Sequence, residues 1–202
     1  MKGFSGKWEE VKMAEIGEIF SGGTPSTTNS SYWNGNINWC TPTDITALNG
    51  KKYIGSTTSK ITQDGVNNSS ATLLPIGSII VCTRATIGKV VIATEEICTN
   101  QGFKNIVPNN RITSDFLYYA ISKLENILIK LGNGSTFLEV QKKDFENMKV
   151  LLPSIEEQTS IANILSAADT EIDLAKKKLA SLKEQKKGLM QVLLTGKKRV
   201  KI

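Results

Sequence analysis

The chain has 202 residues, with 25 Lys+Arg against 19 Asp+Glu, no His and three Cys. Without His, this chain alone cannot build a Ser-His-Asp triad, a Cys-His pair, a His-ligated zinc or a His general base. The formal charge of +6 points to a polyanionic partner, and the single cysteines at 40, 82 and 98 read as buried thiols of a cytoplasmic protein, not a disulfide framework.

In chain order, Trp8 to Met13 reads as a strand, and nothing after the start resembles a signal-peptide core. Ser21-Gly22-Gly23-Thr24-Pro25-Ser26-Thr27-Thr28-Asn29-Ser30-Ser31 is a polar loop. Ile37 to Cys40 reads as a strand. Gly77 to Thr83 and Lys89 to Ala93 are stronger strands, rich in β-branched residues, joined by Arg84-Ala85-Thr86-Ile87-Gly88. Ser114 is the expected cap of one helix, with apolar residues from Phe116 to Leu131 and a stop at Gly132-Asn133-Gly134. No apolar run reaches the roughly 20 residues that a membrane span needs.

Pro153 ends a strand-like run, and Ser154 with Glu157 fits a capping box. Beyond it, Ile161, Leu165, Ala168, Ile172, Ala175, Leu179, Leu182, Leu189 and Leu193 follow alternating steps of four and three, broken only by Lys186. About 40 residues at 1.5 Å each make a rod of about 60 Å. A stripe of two apolar positions in seven cannot bury itself on one helix, so the helix needs a helical partner. The charges orient that partner. Residues 1–153 carry 15 Lys+Arg and 13 Asp+Glu, a net +2, whereas residues 154–202 carry 10 and 6, a net +4. Within the tail, five acids (Glu156, Glu157, Asp169, Glu171, Asp173) precede ten bases, with Glu184 the only acid among them. Antiparallel pairing sets the acidic half against the basic half, so the expectation is an antiparallel homodimer.

The fold class is α+β: a globular part over 1–153 and one long C-terminal coiled-coil helix over 154–202. No phosphate loop of the P-loop or dinucleotide type and no Cys-x-x-Cys occurs, so binding is favoured over chemistry and no catalytic or metal-binding residue is assigned. The loops offer hydrogen-bonding groups suited to phosphates and base edges. The candidates are Ser21, Gly22, Gly23, Thr24, Pro25, Ser26 and Thr27, then Thr41, Thr43 and Asp44, then Arg84, Thr86 and Lys89, then Asn100, Gln101, Ser135 and Thr136. Arg84 can fork onto a guanine edge, and Asn100-Gln101 can meet an adenine edge. Each has a plainer reading as an ordinary turn or a solvated side chain.

These fragments, in this order and spacing, resemble one half of a specificity subunit of type I restriction–modification systems. The resemblance rests on Ser21-Gly22-Gly23-Thr24-Pro25-Ser26, Tyr32-Trp33-Asn34-Gly35, Arg84-Ala85-Thr86-Ile87-Gly88-Lys89, Thr99-Asn100-Gln101-Gly102-Phe103, Leu152-Pro153, Glu157-Gln158, Ile161-Ala162 and Lys186-Lys187-Gly188-Leu189. It implies a target recognition domain (1–153) that reads one half of a split site in double-stranded DNA, followed by a spacer helix. It also implies methyltransferase subunits as partners, which carry S-adenosylmethionine and methylate adenine, with restriction subunits able to join for cleavage. This chain itself is then no enzyme and holds no cofactor. The usual subunit carries two such units, whereas this chain has one, beginning with Met1 and ending in Gly196-Lys197-Lys198-Arg199-Val200-Lys201-Ile202. A homodimer restores two readers on a two-fold axis and predicts an interrupted palindrome. The alternatives are a truncated specificity subunit acting as exchange partner or inhibitor, and a coiled-coil adaptor that binds no DNA.

Overall fold

The computed structural model describes residues 3–132 and 138–200. The chain divides into two compact units, 1–159 and 160–202. The first is mixed α and β. Strand β1 (Glu9–Lys12) leads through one helical turn, α1 (Met13–Ile16), into β2 (Gly17–Ser21). After a short 3-10 turn (Ser30–Tyr32) come β3 (Trp33–Cys40), α2 (Pro42–Ala47), β4 (Tyr53–Ile54), β5 (Ser59–Ile61) and α3 (Gln63–Asn67). Next are β6 (Ile79–Cys82), β7 (Val90–Ala93), β8 (Ile97–Thr99) and β9 (Phe103–Pro108). Helices α4 (Ser114–Lys123), α5 (Glu125–Leu131) and α6 (Lys142–Asn147) precede β10 (Lys149–Leu152) and the helix α7 (Ile155–Leu193).

The main sheet has the order β2-β9-β6-β7-β4, antiparallel except where β4 runs parallel to β7. A three-stranded sheet has β3 between antiparallel β5 and parallel β8. Every residue of β6 and β7 is buried; a strand covered on both faces reads as an unbroken apolar run, which is why Ile79-Ile80-Val81-Cys82 and Val90-Val91-Ile92-Ala93 stand out in the sequence. Ile80, Cys82, Val91 and Ala93 join Cys40, Ile45, Ile54, Leu74, Ile97 and Phe103 in the main core. A second cluster forms around Trp39, Ile61, Ala71 and Cys98, with Trp33 edge-on to Trp39 at 5.0 Å. All three thiols are free and buried. Burial pushes Cys82 up to about 11 and Cys98 up to about 12, so both stay protonated and unreactive at neutral pH.

Two helices differ in detail from the sequence reading. The helix expected over 114–131 is two helices, α4 and α5, parted at Leu124, and its cap is Thr113, whose hydroxyl accepts from the Phe116 amide. Ser114 donates instead to the Gly77 carbonyl at 2.7 Å. At the start of α7, the Ser154 hydroxyl accepts from the Glu157 amide at 3.3 Å, as expected of a cap. The carboxylate at that cap is Glu156, held below its ordinary value by bonds to its own amide and to Ser154.

The first unit reaches past Pro153 to Thr159. The reason is Gln158, fully buried, which accepts from the Thr113 amide at 2.9 Å and donates to the carbonyls of Arg111 and Pro153 at 3.0 Å each. It keys the first turn of α7 into the body. β10 beside it pairs antiparallel with β1, tying the two ends of this unit together.

The second unit, 160–202, holds the rest of α7 and the C-terminal residues. Its stripe residues Leu165, Ile172, Leu179, Leu182, Leu189 and Leu193 are between 38% and 56% exposed. At its start Ile161 is half-buried and Ala162 is buried. Among the described residues no helix is long and apolar enough to cross a membrane.

Candidate nucleic-acid interface

The turn between β8 and β9 is a hub. The Asn100 side chain accepts from the Gly102 amide at 2.9 Å, closing the turn on itself. The Asn100 amide donates to the Cys40 carbonyl at 3.0 Å, bringing up the start of α2. The Gly23 amide donates to the Thr99 carbonyl at 2.8 Å, bringing in the loop after β2, and the Thr24 hydroxyl donates to the Gln101 side chain. The Thr83 amide donates to the Gly102 carbonyl at 2.8 Å, bringing in the loop after β6. So four segments far apart in sequence (22–27, 41–44, 84–86 and 100–102) meet around three residues.

Two glycines make this approach possible. A β-carbon at Gly22 would overlap the Asn100 carbonyl, so no other residue fits beside the hub. Gly88 turns the β6–β7 loop with φ +90°, and a β-carbon there would press on Glu125. The same loop holds Ala85 at φ 62°, an unusual conformation for a residue with a side chain.

Arg84 leaves this loop next to the hub. Its guanidinium pairs with Glu139, whose second oxygen takes the buried Lys104 ammonium at 3.2 Å. Arg84 Nε is buried with no hydrogen-bond partner among the described residues, while the side chain as a whole stays 39% exposed. Two cations on one carboxylate leave an excess of one positive charge. Burial pushes the Glu139 carboxyl up, but hydrogen bonds from Arg84 and Lys104 outweigh it and hold Glu139 below the usual range. A lowered carboxylate stabilises the fold above its unfolded pKa of about 4.3, and that contribution is lost as pH falls through the folded value. Thermal unfolding from pH 6 to pH 3 is therefore expected to show a larger acid loss of Tm for the wild type than for Glu139→Gln. Parallel acid slopes would refute this.

The other candidates divide. Ser26, Thr27, Thr43 and Gln101 are exposed at or near the hub. Pro25 is buried, and the Ser26 carbonyl accepts from the Trp33 indole at 3.0 Å. Asp44 is turned inward: its carboxylate accepts from the Thr41 amide and hydroxyl at 2.9 and 2.7 Å and from the Thr58 amide at 2.9 Å. Burial raises its pKa and these three bonds more than reverse that, so it stays ionised as the capping-box acid of α2. Thr86 has its hydroxyl oxygen buried. Lys89 is apart from the hub and pairs with Glu125 at 3.0 Å. Ser21 is exposed at the end of β2. Ser135 and Thr136 lie outside the described residues.

Sequence reasoning missed Glu139 and Lys104, which set Arg84 in place. It also missed a cluster on α4, where the Lys52 ammonium meets Asp115 at 2.6 Å and lies over the Tyr119 ring at 4.4 Å. Neither grouping has a local signal, because each joins residues more than thirty positions apart.

The model of the type I restriction modification DNA specificity domain matches residues 5–184. The MjaIX type I restriction enzyme specificity subunit of Methanocaldococcus jannaschii is 38% identical over 172 residues, 84% of this chain and 40% of that protein. The EcoR124I/EcoR124II specificity subunit of Escherichia coli is 30% identical over 172 residues, 82% of this chain and 42% of that protein. The chain thus spans well under half the length of the curated relatives it matches. Among solved structures, a chain from a study of assembly and conformational transition in the type I restriction–modification system superposes with a TM-score of 0.74 at 25% identity, covering 94% of this chain and 45% of that one. The HsdS subunit of Thermoanaerobacter tengcongensis shares the fold, with a TM-score of 0.67 at 23% identity over 94% of this chain and 45% of its own.

Proposed function

The chain belongs to the type I restriction modification DNA specificity family, and on that premise we propose that it is the DNA-reading, non-catalytic part of such a complex. The first unit reads one half of a split site in duplex DNA. The helix α7 pairs antiparallel with a second copy and sets two readers on a two-fold axis. Methyltransferase subunits bring S-adenosylmethionine and methylate adenine, restriction subunits are able to join, and the assembly works in the cytoplasm. The observation that carries the reading is the convergence of three loop segments (22–27, 41–44 and 84–86) on the 100–102 turn. Loops that rest on a rigid sheet and leave Arg84, Ser26, Thr27, Thr43 and Gln101 open to solvent suit groove readout. The body is close to neutral (15 Lys+Arg against 13 Asp+Glu over 1–153), so affinity depends on fitted contacts more than on bulk charge.

Titration of labelled duplexes against the complex with its methyltransferase tests this. One sequence should bind far more tightly than random duplex at the same salt concentration. Equal binding to all sequences refutes it. Arg84→Ala should cost roughly 1–3 kcal/mol on the specific duplex and relax one position of the site. If binding weakens equally on every duplex, Arg84 touches phosphate only.

A second reading is an exchange partner of a full-length specificity subunit. Methylation of a defined site by this chain and a methyltransferase alone argues against it. A coiled-coil adaptor that binds no DNA explains the stripe and leaves the hub unexplained.

A further inference from the structure

The alignment of the two helices rests on the pairing proposed for α7. Steps of four and three along α7 put Leu165, Ile172, Leu179, Lys186 and Leu193 in one row and Ile161, Ala168, Ala175, Leu182 and Leu189 in the other. When two copies run antiparallel, heights along the axis reverse, so a residue of one row lies level with a residue of the other. We propose that α7 pairs with a second copy of this chain with the two-fold axis level with Lys177. Leu165 then meets the partner's Leu189, Ile172 the partner's Leu182, Ala175 the partner's Leu179, and Ala168 the partner's Lys186.

Three features of the helix select this alignment. It covers the whole exposed stripe from Leu165 to Leu193, with the outermost layer formed by Leu193 and the partner's half-buried Ile161. It sets the one break in the stripe, Lys186, against Ala168, the smallest side chain available. The lysine stem covers that alanine and its ammonium reaches the neighbouring Asp169. It also matches the flanks: Ile164 (56% exposed) faces the partner's Val192 across one edge of the seam, and Asp169 faces the partner's Lys183 across the other. Against it, Lys176 and Lys178 each face their own copies near the axis.

The rival alignment slips one heptad toward the N-terminus. It exchanges those repulsions for Asp169 with the partner's Lys176 and Glu171 with the partner's Lys178. It also uncovers Leu189 and Leu193 on both helices, sets Ile164 against Gln185 and sets Ile161 against Lys186. Exposed ion pairs contribute little next to four buried leucines, so full overlap prevails.

Single cysteines at 164, 171, 178, 185 and 192 read the alignment directly, because these positions share one flank of the stripe. The native thiols are buried, so the parent chain is the blank. With a short bis-maleimide on the full chain, only Lys178→Cys should link to itself. Mixed samples should link 171 to 185 and 164 to 192. Links from 171 to 178 and 164 to 185 would overturn this alignment and leave the antiparallel dimer standing. Self-linking at all five positions would overturn both in favour of a parallel pair. A monomer by sedimentation at every concentration would overturn the pairing itself.

Discussion

Leu179→Glu combined with Leu182→Glu is expected to leave a folded monomer that no longer binds a two-part site. Both leucines are about half exposed in the single chain, at 54% and 47%. Both belong to the second unit, outside 1–159. In the pair they lie in the central layers, opposite Ala175 and Ile172. Burying a leucine is worth about 1.5–3 kcal/mol, and the two-fold axis doubles every change. Four leucines lost, with four carboxylates placed in the seam, weaken association more than a thousandfold, since each 1.4 kcal/mol is tenfold. Light scattering should report a dimer for the wild type and a monomer for the variant, with circular dichroism unchanged. Binding to a duplex carrying two half-sites should fall about a hundredfold or more, because the linked second contact is lost. A variant that remains a dimer of wild-type affinity contradicts the seam.

Gln158→Met is expected to destabilise the first unit by about 3 kcal/mol. The side chain is fully buried and serves three backbone groups at once, the Thr113 amide and the carbonyls of Arg111 and Pro153. Methionine keeps the volume and satisfies none of them. Each orphaned buried group costs roughly 1–3 kcal/mol, and the three fall together because one side chain holds them. The cap residue of α4, the end of β10 and the first turn of α7 then lose their common tie. Urea unfolding should show a lower midpoint with an unchanged slope. A loss below about 1 kcal/mol would mean that Gln158 is not the key between the helix and the body.

How much of this was legible depends on where each signal resides. The strands at 79–82 and 90–93 were visible because both faces are buried, which concentrates β-branched residues. Strand β9 was not, because Lys104 and Asn105 interrupt its apolar run; both are buried, Lys104 against Glu139 and Asn105 against the Thr99 hydroxyl. Those partners lie elsewhere in the chain, so no local pattern announces them. The break at Leu124 leaves the 3.6-residue periodicity intact on both sides, so periodicity alone runs α4 and α5 together. Thr41-Pro42-Thr43-Asp44 carries a capping pattern with Pro at the first helical position, readable in advance. The sequence reading assigns it to ligand contact instead, and the structure spends Asp44 on the cap. The long helix was legible from its two-in-seven stripe, whose residues from Leu165 to Leu193 lie on its exposed surface. The assembly of the hub was the least legible part: the candidate loops could be named one by one, but that three of them meet at the 100–102 turn depends on strand order.

One reader, doubled by antiparallel helices, should see a symmetric split site. Sequencing the adenine methylation of DNA modified by this chain together with its methyltransferase tests it most directly. Methylated adenines are expected in an interrupted palindrome, the two halves inverted copies of each other across a fixed spacer. An asymmetric bipartite site produced by this chain alone would contradict it.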